Sequence, residues 1–256
     1  MVPLRLADTI GISYCDGPEI NLSCNVPDLC KGPENLCVKA ALAFRKSTGL
    51  NHGIDISLIK RIPHGAGLGG GSSDAASVLQ GLNDLFNRPL DEAQIKQIAS
   101  RLGSDVPFFL GDGPAWCGGR GEIIEPFDHK ASVPARRVLL IKPPFPVPTD
   151  WAYKMYDILK KSGKLPEHSE SQRLVSLEIF NDLEVPVFHK YVLLEVLKNW
   201  LRHQAIVEVA FMSGSGSTVA GIISPEAPAD EVDRLKASIL EEFGSATWMA
   251  LTEFSN

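Results

Sequence analysis

No apolar run in this 256-residue chain reaches the ~18 residues that a membrane-spanning helix requires, and the N-terminus lacks the charged-then-apolar layout of a secretion signal. A cytoplasmic protein with no membrane partner is expected. Basic residues are outnumbered, 25 Lys and Arg against 31 Asp and Glu, for a formal charge of -6. That balance argues against a nucleic-acid partner, so an anionic ligand has to be held by local geometry rather than by a broad positive field. The five cysteines, Cys15, Cys24, Cys30, Cys37 and Cys117, form no C-x-x-C pair that would suggest zinc or redox chemistry, and they read as reduced thiols at mostly buried positions. The histidines, His52, His64, His129, His168, His189 and His203, show no metal-ligand spacing, and no metal ligand is assigned. Low-complexity tracts and internal repeats are also missing.

Hydrophobic residues at 44% and charged ones at 22% indicate a folded chain, and its length suits two domains. The division is expected near Ala131 to Pro134, giving an N-terminal domain over 1-132 and a C-terminal domain over 133-256. Two strands, Leu4 to Ser13 and Ile20 to Cys24, flank the turn-rich Cys15-Asp16-Gly17-Pro18 and are expected to pair with each other. Leu36, Ala40 and Phe44 repeat at helical spacing over Asn35 to Ser47, with Gly49 closing the helix. A strand over Gly53 to Arg61 leads to a glycine-rich loop, and a helix from Ser72 to Phe86 carries one apolar stripe through Ala75, Val78, Leu79 and Leu82. A helix over Asp91 to Leu102 and strands at Pro107 to Leu110 and Glu122 to Pro126 complete this half.

The second half opens with a strand at Arg137 to Lys142 and a proline-rich segment, then a helix with Thr149 as N-cap. Helices at Val187 to His203 and Asp230 to Phe243 interleave with strands at Glu208 to Met212, Thr218 to Ile223 and Thr247 to Thr252. The pattern predicts a helix-backed antiparallel sheet, an α+β arrangement.

The chemistry concentrates in Pro63-His64-Gly65-Ala66-Gly67-Leu68-Gly69-Gly70-Gly71-Ser72-Ser73. Glycines at 65, 67, 69, 70 and 71 leave backbone N–H groups unshielded, and the following helix adds its positive dipole end, so a phosphate is the expected guest. Gly65-x-Gly67-x-x-Gly70 also fits the dinucleotide-binding pattern. That fold, however, places an acid at the end of a strand about 20 residues on, whereas Asp91-Glu92 open a helix here. The Walker pattern fails because no G-K-[ST] closes the loop.

Pro63-x-x-x-Gly67-Leu68-Gly69 followed by Gly70-Gly71-Ser72-Ser73-Asp74-Ala75-Ala76 resembles the second motif of the GHMP kinases, and the resemblance extends across nearly the whole chain. It implies a ribosomal-protein-S5-like N-terminal domain followed by a ferredoxin-like C-terminal domain, and ATP with Mg2+ as cofactor. The loop residues 63 to 73 would hold ATP, with Asn35 and Lys60 bordering its adenine and ribose. The triple glycine before Ser-Ser-Asp-Ala-Ala most resembles the branch that phosphorylates a small-molecule cytidine-diphosphate-linked alcohol for isoprenoid synthesis. Homoserine- or mevalonate-type acceptors are the alternatives, and the implied assembly is a monomer or weak homodimer.

Gly103-Ser104-Asp105-Val106-Pro107-Phe108-Phe109 is similar to the family's catalytic segment, which implies that Asp105 accepts or orients the acceptor proton; by itself, such an Asp can equally cap a turn. Phe211-Met212-Ser213-Gly214-Ser215-Gly216-Ser217 resembles the third motif, placing Ser213, Gly214, Ser215 and Gly216 at the substrate. Thr149 and Tyr153 lie in a stretch similar to the one that supplies an aromatic stacking partner for cytosine, a role equally open to a core tyrosine. The family's first motif, with its lysine, is absent, and neither Lys31 nor Lys39 takes that role. A longer natural polypeptide is expected; a pseudokinase that only binds nucleotide is the alternative.

Overall fold

The computed structural model describes residues 1–118, 121, 123–127, 135–165, 170–175 and 177–255, with the backbone alone at Pro126. Two compact units form, one from Met1–His64 with Gly69–Ser132, the other from Gly65–Leu68 with Val133–Ser255. The expected division at 131–134, the expected strand start at Glu122, and His129 and His168 lie outside the described residues.

The first unit contains β1 (Thr9–Cys15), β2 (Ile20–Cys24), α1 (Leu36–Thr48), β3 (Gly53–Ile59), α2 (Gly70–Leu85), α3 (Glu92–Leu102), a 3-10 helix (Val106–Leu110) and the hairpin β4 (Ala115–Gly118) with β5 (Ile123–Pro126). The expected pairing of β1 with β2 is corrected. Sheet order is β1-β3-β2, with β1 antiparallel and β2 parallel to β3. β3 takes the centre because Ile54, Ile56 and Leu58 are fully buried, whereas β1 and β2 are half-buried and suit edges. The crossover α1 lets β2 and β3 run parallel.

Local signals set the helix ends. Asn35 caps α1 by accepting the Cys37 N–H, and Gly49 ends it at φ 71°, the left-handed region open to glycine. Asp91 and Gln94 form a reciprocal capping box on α3. The stripe Ala75, Val78, Leu79 and Leu82 of α2 packs into one core with Phe44 and β3. Two expectations need correction here. α2 begins at Gly70, inside the glycine run, and Pro107 to Leu110 is 3-10 helix rather than strand. Pro107 sits in the first helical turn, where its missing N–H removes no bond. The short strand β4 carried no recognised signal.

The second unit contains β6 (Arg137–Lys142), α4 (Thr149–Lys161), β7 (Gln172–Leu174), β8 (Leu177–Ile179), α5 (Glu184–Lys190), α6 (Val192–Arg202), β9 (Val207–Met212), β10 (Val219–Ile223), α7 (Ala229–Phe243) and β11 (Trp248–Glu253). The expected helix-backed antiparallel sheet is present, ordered β11-β6-β10-β9. Its inner strands β6 and β10 are almost continuously buried. The single helix expected at 187–203 is broken at Tyr191, whose ring packs on Phe145 and Trp151. Pro148, not Thr149, holds the N-cap position of α4, and the β7–β8 hairpin was not foreseen. Among the described residues no helix is long and apolar enough to cross a membrane.

Candidate active site

In the first unit the site is built on the start of α2. Gly69, at φ 67°, stands at the N-cap position without a side-chain cap, and the first turn carries no acidic residue. Ser73 N–H already bonds Gly69 O, so the amides of Gly70, Gly71 and Ser72 form the positive end of the helix, with Gly70 buried, Ser72 half-buried and Gly71 exposed. The glycines are also needed for packing. A Cβ on Gly69 would lie 2.7 Å from the Phe109 ring, and one on Gly70 would lie 2.9 Å from Ile62 Cγ2 and 3.3 Å from Lys60 Nζ. Ser73 spends its hydroxyl on Gly70 O at 2.9 Å, while no partner holds the Ser72 hydroxyl among the described residues.

Beneath this helix start lies a cluster that the sequence did not announce. Lys60 Nζ donates to Asp74 Oδ2 at 2.8 Å and to Asp8 Oδ2, with all three side chains at most 6% exposed. Asp8 Oδ1 accepts the amides of Arg61 and Ile62, which fixes the chain as it leaves β3 for the loop. Burial pushes the Asp74 carboxyl up to about 6, against the pull of Lys60 and with help from the neighbouring charge of Asp8. One ammonium neutralises one carboxylate, so the second accepts a proton readily. A cleft of about 550 Å³ runs along this flank of α2, lined by Asp8, Ile10, Ser73, Asp74 and Ser77 among others.

Lys60, expected to border the adenine and ribose of ATP, is the cation of this cluster. Its ammonium is consumed by two carboxylates, and its backbone N–H and C=O are both held by the Asn25 side chain. Asn35 is similarly engaged, its Oδ1 at Cys37 N and its Nδ2 at Cys30 O. His64 and Gly65 are exposed, Ala66 is buried, and Pro63, Gly67 and Leu68 are half-buried.

Asp105 stands directly before the 3-10 helix, makes no side-chain cap bond, and has its carboxyl raised above the ordinary range by burial alone. The simple turn-capping role is thus not realised. The same 3-10 helix carries Phe109 onto Gly69, so the segment bearing Asp105 packs against the start of α2. Of the cysteines, only Cys37 is fully buried, its thiol pushed up to about 12 by desolvation, whereas Cys30 is exposed. The expectation of mostly buried thiols holds at that one position.

In the second unit, Gly65–Leu68 meets the turn Ser213–Gly216. Ser213 Oγ donates to Gly67 O at 2.9 Å, and Thr218 N–H donates to Ala66 O at 3.2 Å. Gly67 (φ 73°), Gly214 (φ 53°) and Gly216 (φ 83°) let the two backbones touch: a Cβ on Gly67 would collide with Ser213 O and lie 2.8 Å from Gly216 N. Ser215 Oγ lies 3.0 Å from Thr149 Oγ1, so two residues assigned to the substrate form a hydroxyl pair. Tyr153 is on α4 with half of its surface exposed. Gly214 O accepts from Asn181, a contact with no sequence signal.

A profile of the GHMP kinases N terminal domain matches residues 35–113. The 4-diphosphocytidyl-2-C-methyl-D-erythritol kinase of Methylacidiphilum infernorum (isolate V4) is 43% identical over 259 aligned residues, covering 99% of this chain and 86% of that protein. A crystal structure of 4-(cytidine 5'-diphospho)-2C-methyl-D-erythritol kinase superposes with TM-score 0.70 at 31% identity, covering 100% of this chain and 89% of that one. Mevalonate kinase from Methanococcus jannaschii, at TM-score 0.66 and 12% identity over 100% of this chain and 90% of its own, shares the fold. On this likeness, carried over nearly the full length, the chain belongs to the 4-diphosphocytidyl-2-C-methyl-D-erythritol kinase family of GHMP kinases.

Proposed function

We infer that the chain transfers the terminal phosphoryl group of ATP to the 2-hydroxyl of 4-diphosphocytidyl-2-C-methyl-D-erythritol, a cytoplasmic step of isoprenoid precursor synthesis. The observation that carries this reading is the start of α2, which has no side-chain cap and no acidic residue in its first turn and stands at the end of a glycine loop. Those amides, the Ser72 hydroxyl and the loop 63–71 would receive the phosphates. Asp105 would take the acceptor proton as its oxygen bonds to phosphorus and the bond to the bridging oxygen breaks, releasing ADP. A raised carboxyl pKa suits a group that must bind a proton in passing. Thr149, Ser213, Gly214, Ser215 and Gly216 would hold the acceptor, with the Tyr153 ring available for stacking on cytosine.

No group of three Asp, Glu, His or Cys among the described residues is placed to hold a metal ion. Magnesium would be held here mainly by the bound nucleotide, with the Ser72 hydroxyl as the residue available to it, and would supply charge neutralisation at the transferring group.

A nucleotide-binding pseudokinase is the second reading, favoured by one observation: no cation among the described residues contributes to the environment of the Asp105 carboxyl. A coupled ADP-release assay decides between them. The expected result is turnover with the cytidine-linked acceptor and at most one hundredth of that rate with homoserine or mevalonate. Saturable ATP binding with no turnover selects the pseudokinase.

A further inference from the structure

β9 is an edge strand, and its outer edge would present unpaired backbone groups. Side chains take the place of a fifth strand. Gln172 Oε1 accepts Ala210 N–H at 3.1 Å while its Nε2 donates to Ala210 O at 2.5 Å. Two residues on, Glu184 Oε1 accepts Met212 N–H at 2.8 Å and Asn181 Nδ2 donates to Met212 O at 2.7 Å. The same Asn181 amide reaches past the strand end to Gly214 O at 2.8 Å, and its Oδ1 accepts Leu183 N–H at 3.0 Å. Every hydrogen-bonding direction of that amide is engaged except the second acceptor site of Oδ1. Glu184 is 6% exposed and is secured by Lys198 at 2.6 Å, which also binds Glu170 at 3.1 Å.

We propose that Asn181 and Glu184 are positioning residues for the turn Ser213–Gly216, fixing the angle at which β9 opens into it. This rests on the reading of that turn as part of the kinase site. Among the described residues Asn181 ties the strand end, Met212, to the turn interior, Gly214, while Glu184 holds the other side of Met212. Ser213 then passes the orientation on to Gly67 through its hydroxyl. A backbone site must be held to about 0.5 Å, and small displacements of reacting groups cost about 10²-fold. Gln172 supplies an internal comparison, because it makes the same double bond to β9 without touching the turn.

The test uses Asn181→Asp, which keeps the shape and the acceptor for Leu183 but faces Met212 O and Gly214 O with a carboxylate. Gln172→Ala is run beside it. Asn181→Asp is expected to raise the acceptor KM at least tenfold, lower kcat ten- to a hundredfold, and speed amide exchange at 213–217. Gln172→Ala is expected to lower the unfolding midpoint with kcat and KM within twofold of the parent. Should Asn181→Asp unfold, Asn181→Ala removes the donors without adding charge and is read in the same way. Parent-like kinetics in the folded Asn181 variant, or equal kinetic losses in both variants, overturns the proposal. A parent chain silent toward both nucleotide and acceptor instead overturns the kinase reading, and this inference with it.

Discussion

Asp105→Asn is expected to lower kcat by about 10²- to 10⁴-fold, with both KM values within threefold, and at the same time to raise the unfolding midpoint at neutral pH. The two effects have one origin. The carboxyl is half-buried, and that partial burial is the cause of its raised pKa. A group that holds its proton more tightly in the folded state than in the unfolded one favours folding as pH falls through the raised value. Above that value the folded chain bears the cost of a partly buried charge. Asparagine removes the charge and the cost, and with them the proton acceptor. The parent's kcat is expected to fall as pH drops through the raised pKa, giving an acid limb above the usual carboxylate range. Calorimetric melting at pH 7 and a pH–kcat profile check both parts. Parent-like turnover by Asp105→Asn would remove Asp105 from the mechanism.

Lys60→Met is expected to lower stability by about 3–5 kcal/mol at pH 7.5, because it leaves Asp8 and Asp74 facing each other in the interior without a countercharge. Asp74 is already pushed up to about 6 with the ammonium in place. Its pKa rises further without that ammonium, so protonation near pH 5 is expected to recover part of the loss. The parent follows the same sign more gently: stability contributed by the protonated Asp74 grows as pH falls from above 6 toward 4. Urea unfolding at pH 7.5 and 5 measures both, and Asp74→Asn in the Lys60→Met background is expected to restore part of the difference. A loss below about 1 kcal/mol at pH 7.5 would mean that the cluster is not a stabilising element.

The sheet of the second unit was legible because β6, β9, β10 and β11 each carry dense apolar runs between helices of strong period. The first sheet was legible as strands but not as topology. Nothing in Thr9–Cys15 or Ile20–Cys24 says that β3 will come between them; that follows from the deeper burial of Ile54, Ile56 and Leu58. The segment after Gly103 misled because Val-Pro-Phe-Phe-Leu has strand composition, while Pro107 at a first helical turn favours the 3-10 form. At the site, the glycine loop declared itself through composition, and the close meeting of Gly67 with Ser213 and Gly216 explains several of its glycines by packing. The Asp8–Lys60–Asp74 cluster stayed hidden because its members lie 52 and 14 positions from one another and gain meaning only through burial. Asn181 was invisible for a similar reason, since its role depends on β9 ending the sheet.

The central claim, that the uncapped amide end of α2 and its glycine loop receive a nucleoside triphosphate, is tested most directly by titrating the chain with a non-hydrolysable ATP analogue and magnesium. Heat of binding and unfolding midpoint are followed together. Saturable one-to-one binding is predicted, with about 2.7 kcal/mol of added stability when the free analogue stands at 100 times its Kd. No heat and no shift of the midpoint at millimolar analogue would contradict it.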